Sequence, residues 1–331
     1  MFEEFIHNFA HNLFKPLLLF FYMGFLIPVL KVPFEFPKAV YQGLTLYLLV
    51  AIGWHGGEEL ASLSLAEFGQ ALGFMAIGFI TNLSIGAIAY FILQRTTKLR
   101  QVDAATVAGF YGSDSAGTFV TCLGVITAAN IAYAAYMPVM LAVMEIPGCL
   151  VALYLVSRLR QQGMDPQGNM PHESGYQPAV HSALAMEGAD GGGEITVDED
   201  IFHGMLCLFL LEMGITACRR LQDLKTAGWR FIMFGVLAPN VFAIIGILVA
   251  HGYSIVLGQP FDLGTYALFA VLCGAASYIA VPAVQRLAIP EASPTLPLAA
   301  SLGLTFTYNV TIGIPVYMLV AQVVMKNFPV A

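Results

Sequence analysis

Residues 108–122 read AGFYGSDSAGTFVTC and put Gly112, Ser113, Asp114, Ser115, Ala116, Gly117 and Thr118 into the middle of an otherwise apolar stretch. A carboxylate and three hydroxyls in such surroundings suit coordination of a small hard cation through oxygen. The glycines loosen the helix, so that backbone carbonyls and N–H groups become available as well. The plain alternative is that small residues serve close helix packing while the hydroxyls bond back to the preceding turn. Asp114 weighs against it. An ionised side chain at the bilayer centre costs ~2.5–3.5 kcal/mol on insertion scales, and such residues mark ion paths or paired sites.

A second stretch of the same character is CGAASYIAVPAV, residues 273–284. Pro282 lacks a backbone donor and clashes with the preceding turn, which predicts an opening of the helix near Ser277 and Tyr278; a simple kink is the alternative. Each break leaves N–H groups unpaired at the start of a half-helix, with the positive end of the helix dipole behind them, an arrangement that holds a small anion. We therefore expect the anion cradle at Gly112–Thr118 together with Ala276, Ser277, Tyr278, Ile279 and Ala280. Sodium is expected at Asp114, Ser115, Thr118, Ser277 and Asn309, as a coupling ion rather than a cofactor. Asn82 and Asn240 are read as braces of the broken helices more than as ligands. Glu145, ahead of Ile146 and Pro147, is a second carboxylate near the same depth, expected to be satisfied by a hydroxyl or an amide. Anion and cation bound side by side neutralise each other, which is a physical reason for symport.

The elements that position these residues follow from composition. The chain has 331 residues, 58% of them hydrophobic and only 11% charged, with a mean hydropathy of +0.76. That is too apolar for a soluble core with a polar surface. Apolar runs of about 20 residues without strict alternation predict an all-α polytopic membrane protein rather than a barrel. Nine spans are expected, at 13–30, 39–57, 68–93, 104–127, 133–157, 201–217, 229–251, 264–288 and 295–325. The first is read as a retained helix, since acidic Glu3 and Glu4 precede it and Pro16 and Pro28 lie within it. The region 159–200, rich in Gly, Gln, Asp, Glu and Pro, reads as a solvated linker between a first repeat, 1–158, and a second, 201–331.

A repeat shows in the spacing. Gly53, Asn82, Gly112 and Glu145 are separated by 29, 30 and 33 positions, and Gly214, Asn240, Gly274 and Asn309 by 26, 34 and 35. Duplicated halves with discontinuous helices at matching positions are typical of secondary transporters. Placing the N-terminus outside puts 12 of the 14 basic residues, Arg160 and Arg219 among them, in the cytoplasm. The chain must then cross twice between those two arginines, yet only one span, 201–217, is recognisable there. Other classes fare poorly. A net charge of −7 and the lack of a basic, aromatic-interleaved patch argue against nucleic acid, and five scattered cysteines form no C-x-x-C pair. SDSAG lacks the G-x-S-x-G pattern of a nucleophile elbow.

On GFYGSDSAGTFVTC, MEIPGCLVALYLVSR, CLFLLEMGITACRRLQDLKTAGWR and ASYIAVPAVQRLAIPEASP, the sequence resembles the cyanobacterial sodium-dependent bicarbonate transporter family, SbtA. The resemblance implies ten helices in two inverted five-helix halves, with a gate domain and a core domain of crossed broken helices. It also implies a homotrimer in the plasma membrane, sodium-driven bicarbonate uptake for inorganic carbon accumulation, and a small cytoplasmic PII-like regulator of the SbtB type. The sequence departs from that pattern after HES at 172–174, where the sixth helix is not recognisable. A sodium-coupled carrier of a larger organic anion, of the bile-acid type, fits the fold argument equally. A membrane receptor using the 159–200 loop would bind ligand without flux.

Overall fold

The computed structural model describes residues 16–171, 199–221, 224 and 228–330, and among these the secondary structure is entirely helical. In chain order the elements are α1 (Pro16–Val29), α2 (Lys38–Ser62), α3 (Leu65–Thr96), α4 (Gln101–Tyr111), α5 (Ala116–Ala128) and α6 (Met137–Gln161). They continue as α7 (Glu199–Leu221), α8 (Trp229–Leu257), α9 (Leu263–Gly274), α10 (Ala280–Ala288) and α11 (Leu296–Asn327). Each expected span falls largely on helix within the described residues, 13–15 of the first lying outside them. Among the described residues five helices are long and apolar enough to cross a bilayer: Leu65–Thr96, Met137–Gln161, Ile201–Leu221, Trp229–Leu257 and Leu296–Asn327. The two spans that carry the candidate chemistry are each split, into α4 and α5 and into α9 and α10. Most of the 159–200 linker, 172–198, lies outside the described residues.

Local sequence explains several boundaries. Ser64 and Glu67 form a reciprocal capping box at the start of α3: the Glu67 N–H donates to Ser64 Oγ at 3.3 Å, and the Ser64 N–H donates to Glu67 Oε2 at 2.9 Å. Pro282 falls in the first turn of α10, where its missing N–H removes no helical bond. The helix therefore opens before the proline, at 275–279, rather than bending around it. α11 carries two π-helical segments, Ala299–Phe306 and Asn309–Gly313, widened turns of the kind frequent at functional sites. Large apolar side chains such as Ile80 (62% exposed) and Leu248 (55% exposed) point outward, as a lipid-facing surface requires.

Packing repeats between the halves. α3, α4 and α6 pack on one another, and so do α8, α9 and α11. The distal pieces of the split helices change partners: α5 packs on α9, and α10 packs on α4 and α6. Glycines permit the close approaches. Gly112 in the first break lies so near Gly86, Gly148 and Asn82 that an added Cβ would sit 2.9–3.2 Å from their backbone atoms, and Gly274 in the second would meet the Pro239 carbonyl at 2.8 Å. Both glycines have ordinary neighbours in sequence, and at Gly112 φ is −83°, so close packing rather than backbone conformation demands glycine there.

α1 and α7 form a separate pair, the backbone of Gly24 against Leu211 and that of Gly214 against Phe21. Arg219 Nη2 donates to the Phe34 carbonyl at 3.1 Å, so the C-terminal ends of α1 and α7 share a face of the molecule. On that face Arg230 reaches the Thr96 carbonyl at 3.5 Å, and Arg100 reaches the Gln167 carbonyl at 2.6 Å and the Glu291 carbonyl at 3.3 Å. Arg160 binds the Glu291 carboxylate through two bonds of 2.8 and 2.9 Å. That pairing holds the Glu291 carboxyl below its ordinary value. The Asp165 carboxyl is lowered in the same way, chiefly by the Asn169 N–H at 2.7 Å. Arg160 and Arg219 thus sit at one end of the bundle, as the charge distribution requires, while α7 starts at the other.

Candidate functional site

The two breaks meet in the centre of the bundle. The Ser277 N–H, freed from any helix, donates to the Phe110 carbonyl at 2.8 Å, a backbone bond between the second break and the end of α4. Ser277 Oγ donates to Glu145 Oε1 on α6 at 2.5 Å and also accepts from the Val281 N–H at 3.4 Å, supporting the first turn of α10. Ser113 Oγ donates to the Glu145 carbonyl at 2.6 Å. Glu145 therefore holds both breaks, one through its side chain and one through its backbone.

The start of α5 is capped by Ser115, whose Oγ accepts from the Thr118 N–H at 3.3 Å and from Thr118 Oγ1 at 2.9 Å. That leaves the N–H groups of Ala116 and Gly117 without a cap. Tyr278 lies against this turn: a Cβ on Gly117 would overlap the Tyr278 hydroxyl, which makes no hydrogen bond of its own. The Tyr278 ring is fixed edge-on against Phe306 at 5.3 Å.

Asp114 is wholly buried and neither carboxylate oxygen has a hydrogen-bond partner. It is within electrostatic reach of Glu145 and of Cys273 at the end of α9. A buried carboxylate facing a second one, with no donor aimed at it, is an arrangement that a bound cation completes. Asn82 supplies another free oxygen: its Nδ2 donates to the carbonyls of Met144 at 3.1 Å and Leu272 at 3.3 Å, while Oδ1 is buried without a partner. Among the described residues no group of three or more His, Cys, Asp and Glu side chains could hold a metal, so a site here draws on oxygens of mixed origin, as sodium accepts.

Asn309 is placed beside the second break, its Nδ2 donating to the Gly274 carbonyl at 3.0 Å and its Oδ1 accepting from Tyr317 at 2.6 Å. Both its polar atoms are engaged, which is the geometry of a brace with one lone pair to spare. Asn240 stands apart from the breaks, bonded to the Val236 carbonyl of its own helix at 3.0 Å and to the Tyr308 hydroxyl at 2.7 Å. Sequence reasoning did not find the Phe110 carbonyl, nor the chain of Tyr111 hydroxyl, Thr305 Oγ1 and Gly235 carbonyl that ties α4 to α11 and α8, with bonds of 2.6 and 2.8 Å. A tyrosine two positions ahead of Ser113 was the only signal for the latter.

Two broken helices held together around an unpartnered carboxylate agree with what a comparison of the sequence finds. Residues 16–322 match the profile of the Na+-dependent bicarbonate transporter superfamily. The chain belongs to that superfamily. The match takes in both breaks, Asp114, Glu145 and all three asparagines. No individual curated protein matches the chain. The superfamily is one of transporters, not an enzyme class, named for sodium and bicarbonate, and the long apolar helices agree with a membrane protein.

Proposed function

We propose that the protein carries bicarbonate inward across the plasma membrane together with sodium, by symport, for inorganic carbon accumulation. The observation that carries this reading is Asp114: a buried carboxylate without a donor, at the joint between two half-helix N-termini. Sodium is assigned to the Asp114 carboxylate with oxygens of Ser115, Thr118, Ser277 and Asn309, and the unpartnered Asn82 Oδ1 is a further candidate. The anion fits the uncapped turn at Ala116–Gly117 and its counterpart at Ile279–Ala280, where helix dipoles point their positive ends.

Matching packing of α3, α4 and α6 with α8, α9 and α11, and the exchange of α5 and α10, support two repeated halves, inverted if α7 runs opposite to α2. A homotrimer and a cytoplasmic PII-like partner rest on the family likeness. Arg158, Arg160 and the basic residues from Arg219 to Arg230 give that partner a face; residues 222, 223 and 225–227 within it lie outside the described residues. The test is uptake of labelled bicarbonate into proteoliposomes with and without an inward sodium gradient. Accumulation that needs the gradient is expected; binding of either solute without flux would assign the protein to the receptor class instead.

A further inference from the structure

A groove of about 590 Å³ runs along the outer face of the bundle between α3 and α8. Its wall is nearly all apolar, with Ile92, Met233, Leu237, Val241 and Phe242 among its side chains. Leu237 is 52% and Val241 51% exposed, so the slot opens outward toward lipid. At its end on the basic face stand Arg95, Trp229 and Arg230. There it joins a second, more polar cavity of about 470 Å³, which shares Trp229 and Arg230 and adds Lys98 and Arg100.

The charges at this junction do not cancel. Among the described residues Asp103 is the only carboxylate that lines either cavity. It is committed to Arg100, with bonds of 2.7 and 3.0 Å, and to the Ser293 N–H at 2.7 Å. Arg95, Lys98 and Arg230 remain as exposed cations, and among the described residues no acidic side chain is in contact with them; Arg95 rests over the Phe91 ring at 3.5 Å and Arg230 donates to the Thr96 carbonyl. An exposed tryptophan at the same level is the usual anchor of the membrane interface.

We infer that the joined cavities between α3 and α8 are a binding site for one anionic phospholipid, its phosphate among Arg95, Lys98 and Arg230 and one acyl chain in the apolar slot. The two halves of the site ask for one amphiphile. A free inorganic or organic anion would use the cations and leave the slot unfilled. A zwitterionic lipid would bring its own cation against three others, whereas a net negative headgroup meets no opposing carboxylate. Basic pockets between membrane helices on the cytoplasmic side bind anionic headgroups on the same terms. The inference is independent of what the central site transports.

The test is lipid retention and thermal unfolding of the full-length protein in detergent, with phosphatidylglycerol or phosphatidylcholine added. Phosphatidylglycerol is expected to be retained in preference and to raise the unfolding temperature more. Arg95→Gln with Arg230→Gln should weaken that preference on the order of 30-fold, as the loss of two interfacial cations implies. Val241→Trp, which fills the slot without touching a charge, should weaken retention of both lipids, and Arg158→Gln, a basic residue away from the groove, should change neither. Equal stabilisation by the two lipids would overturn the inference, as would a preference that survives both groove variants. Glycerol phosphate stabilising as well as the intact lipid would make the ligand a soluble anion. A change of oligomeric mass in Val241→Trp with lipid preference intact would make the slot a contact between copies of the chain; either result refutes a lipid site.

Discussion

Asp114→Asn separates a structural carboxylate from one that waits for a cation, because the two roles predict opposite signs. In the absence of sodium the wild-type carboxylate has no donor on either oxygen and stands near Glu145. Asparagine has the same shape, removes the charge and offers Nδ2 as a donor toward Glu145. A hydrogen bond to a charged group contributes about 1.5–3 kcal/mol, and a charged residue in the bilayer centre costs ~2.5–3.5 kcal/mol. Two buried carboxyls this close share one proton when no cation is present, so the sodium-free variant should be no less stable than the wild type.

Sodium reverses the order. A cation about 3 Å from the carboxylate, at an effective dielectric of about 20, gains roughly 5 kcal/mol that the amide cannot supply. That is more than three orders of magnitude in affinity. Wild-type protein in sodium at 100 times its dissociation constant gains about 2.7 kcal/mol of stability, and the variant should gain almost none. The assay is thermal unfolding in detergent across a series of sodium chloride concentrations, with choline chloride holding ionic strength constant. A sodium-dependent shift of wild-type size in the variant, or a sodium-free variant less stable than the wild type, would refute the reasoning. The second result would mean that Asp114 makes a structural bond.

Other perturbations follow from the same geometry. Asp103→Ala should cost about 3–5 kcal/mol, read as a lowered unfolding temperature, since it strands the guanidinium of Arg100, only 5% exposed, and the Ser293 N–H; Asp103→Asn, which keeps an acceptor for Ser293, should cost less. Gly148→Ala places a Cβ onto the Gly109 carbonyl and Ser113 Oγ, so destabilisation of about 1–3 kcal/mol with loss of transport is expected, and unaltered uptake would show that the α4–α6 contact yields freely. Because Arg160 lowers the Glu291 carboxyl below its ordinary 4.5, the pair stabilises above that value and its contribution is lost as pH falls through the lowered one. Glu291→Gln should then cost no more than about 1 kcal/mol at neutral pH, given an exposed arginine, and match the wild type in acid. Single cysteines at Gln162 and Glu199, in a background lacking the native five, should label from opposite sides with an impermeant thiol reagent; protection of both would make the two halves parallel.

Much of the site was legible because its chemistry is out of place in lipid. Asp114 and the Gly, Ser and Pro density around it and around Ser277 interrupt two apolar runs, and the spacing of Asn82, Gly112 and Glu145 repeats in the second half. What composition could not show is which partners those residues take. Ser277 meets Glu145 across 132 positions, and Tyr278 meets Gly117 across the same fold. Such pairs depend on how α5 and α10 exchange neighbours, and hydrophobic periodicity carries no trace of that. Pro282 pointed to the opening near Ser277 and Tyr278, but a proline marks a helix start as readily as a break, and only the placement of α10 shows it in the first turn of a new helix. The π segments of α11 were equally silent, their sequence being as apolar as any span.

The cross-bond from the Ser277 N–H to the Phe110 carbonyl explains why the breaks need each other. A broken helix in hydrocarbon leaves donors and acceptors that neither lipid nor its own chain can satisfy, a cost of several kcal/mol per group. Here the end of α4 takes the loose donor of the other break, and Glu145 takes the hydroxyl beside it. The site therefore exists only where the two halves are docked. A ligand that draws the second break away from the end of α4 must break that bond or replace it, and on the proposed function a small anion at the uncapped turn with a cation on Asp114 replaces it. An anion alone would leave Asp114 unpaired, and a cation alone would leave the free N–H groups unpaired. On the proposed function only the two together replace what that separation leaves unpaired, which would couple the two solutes through the backbone itself.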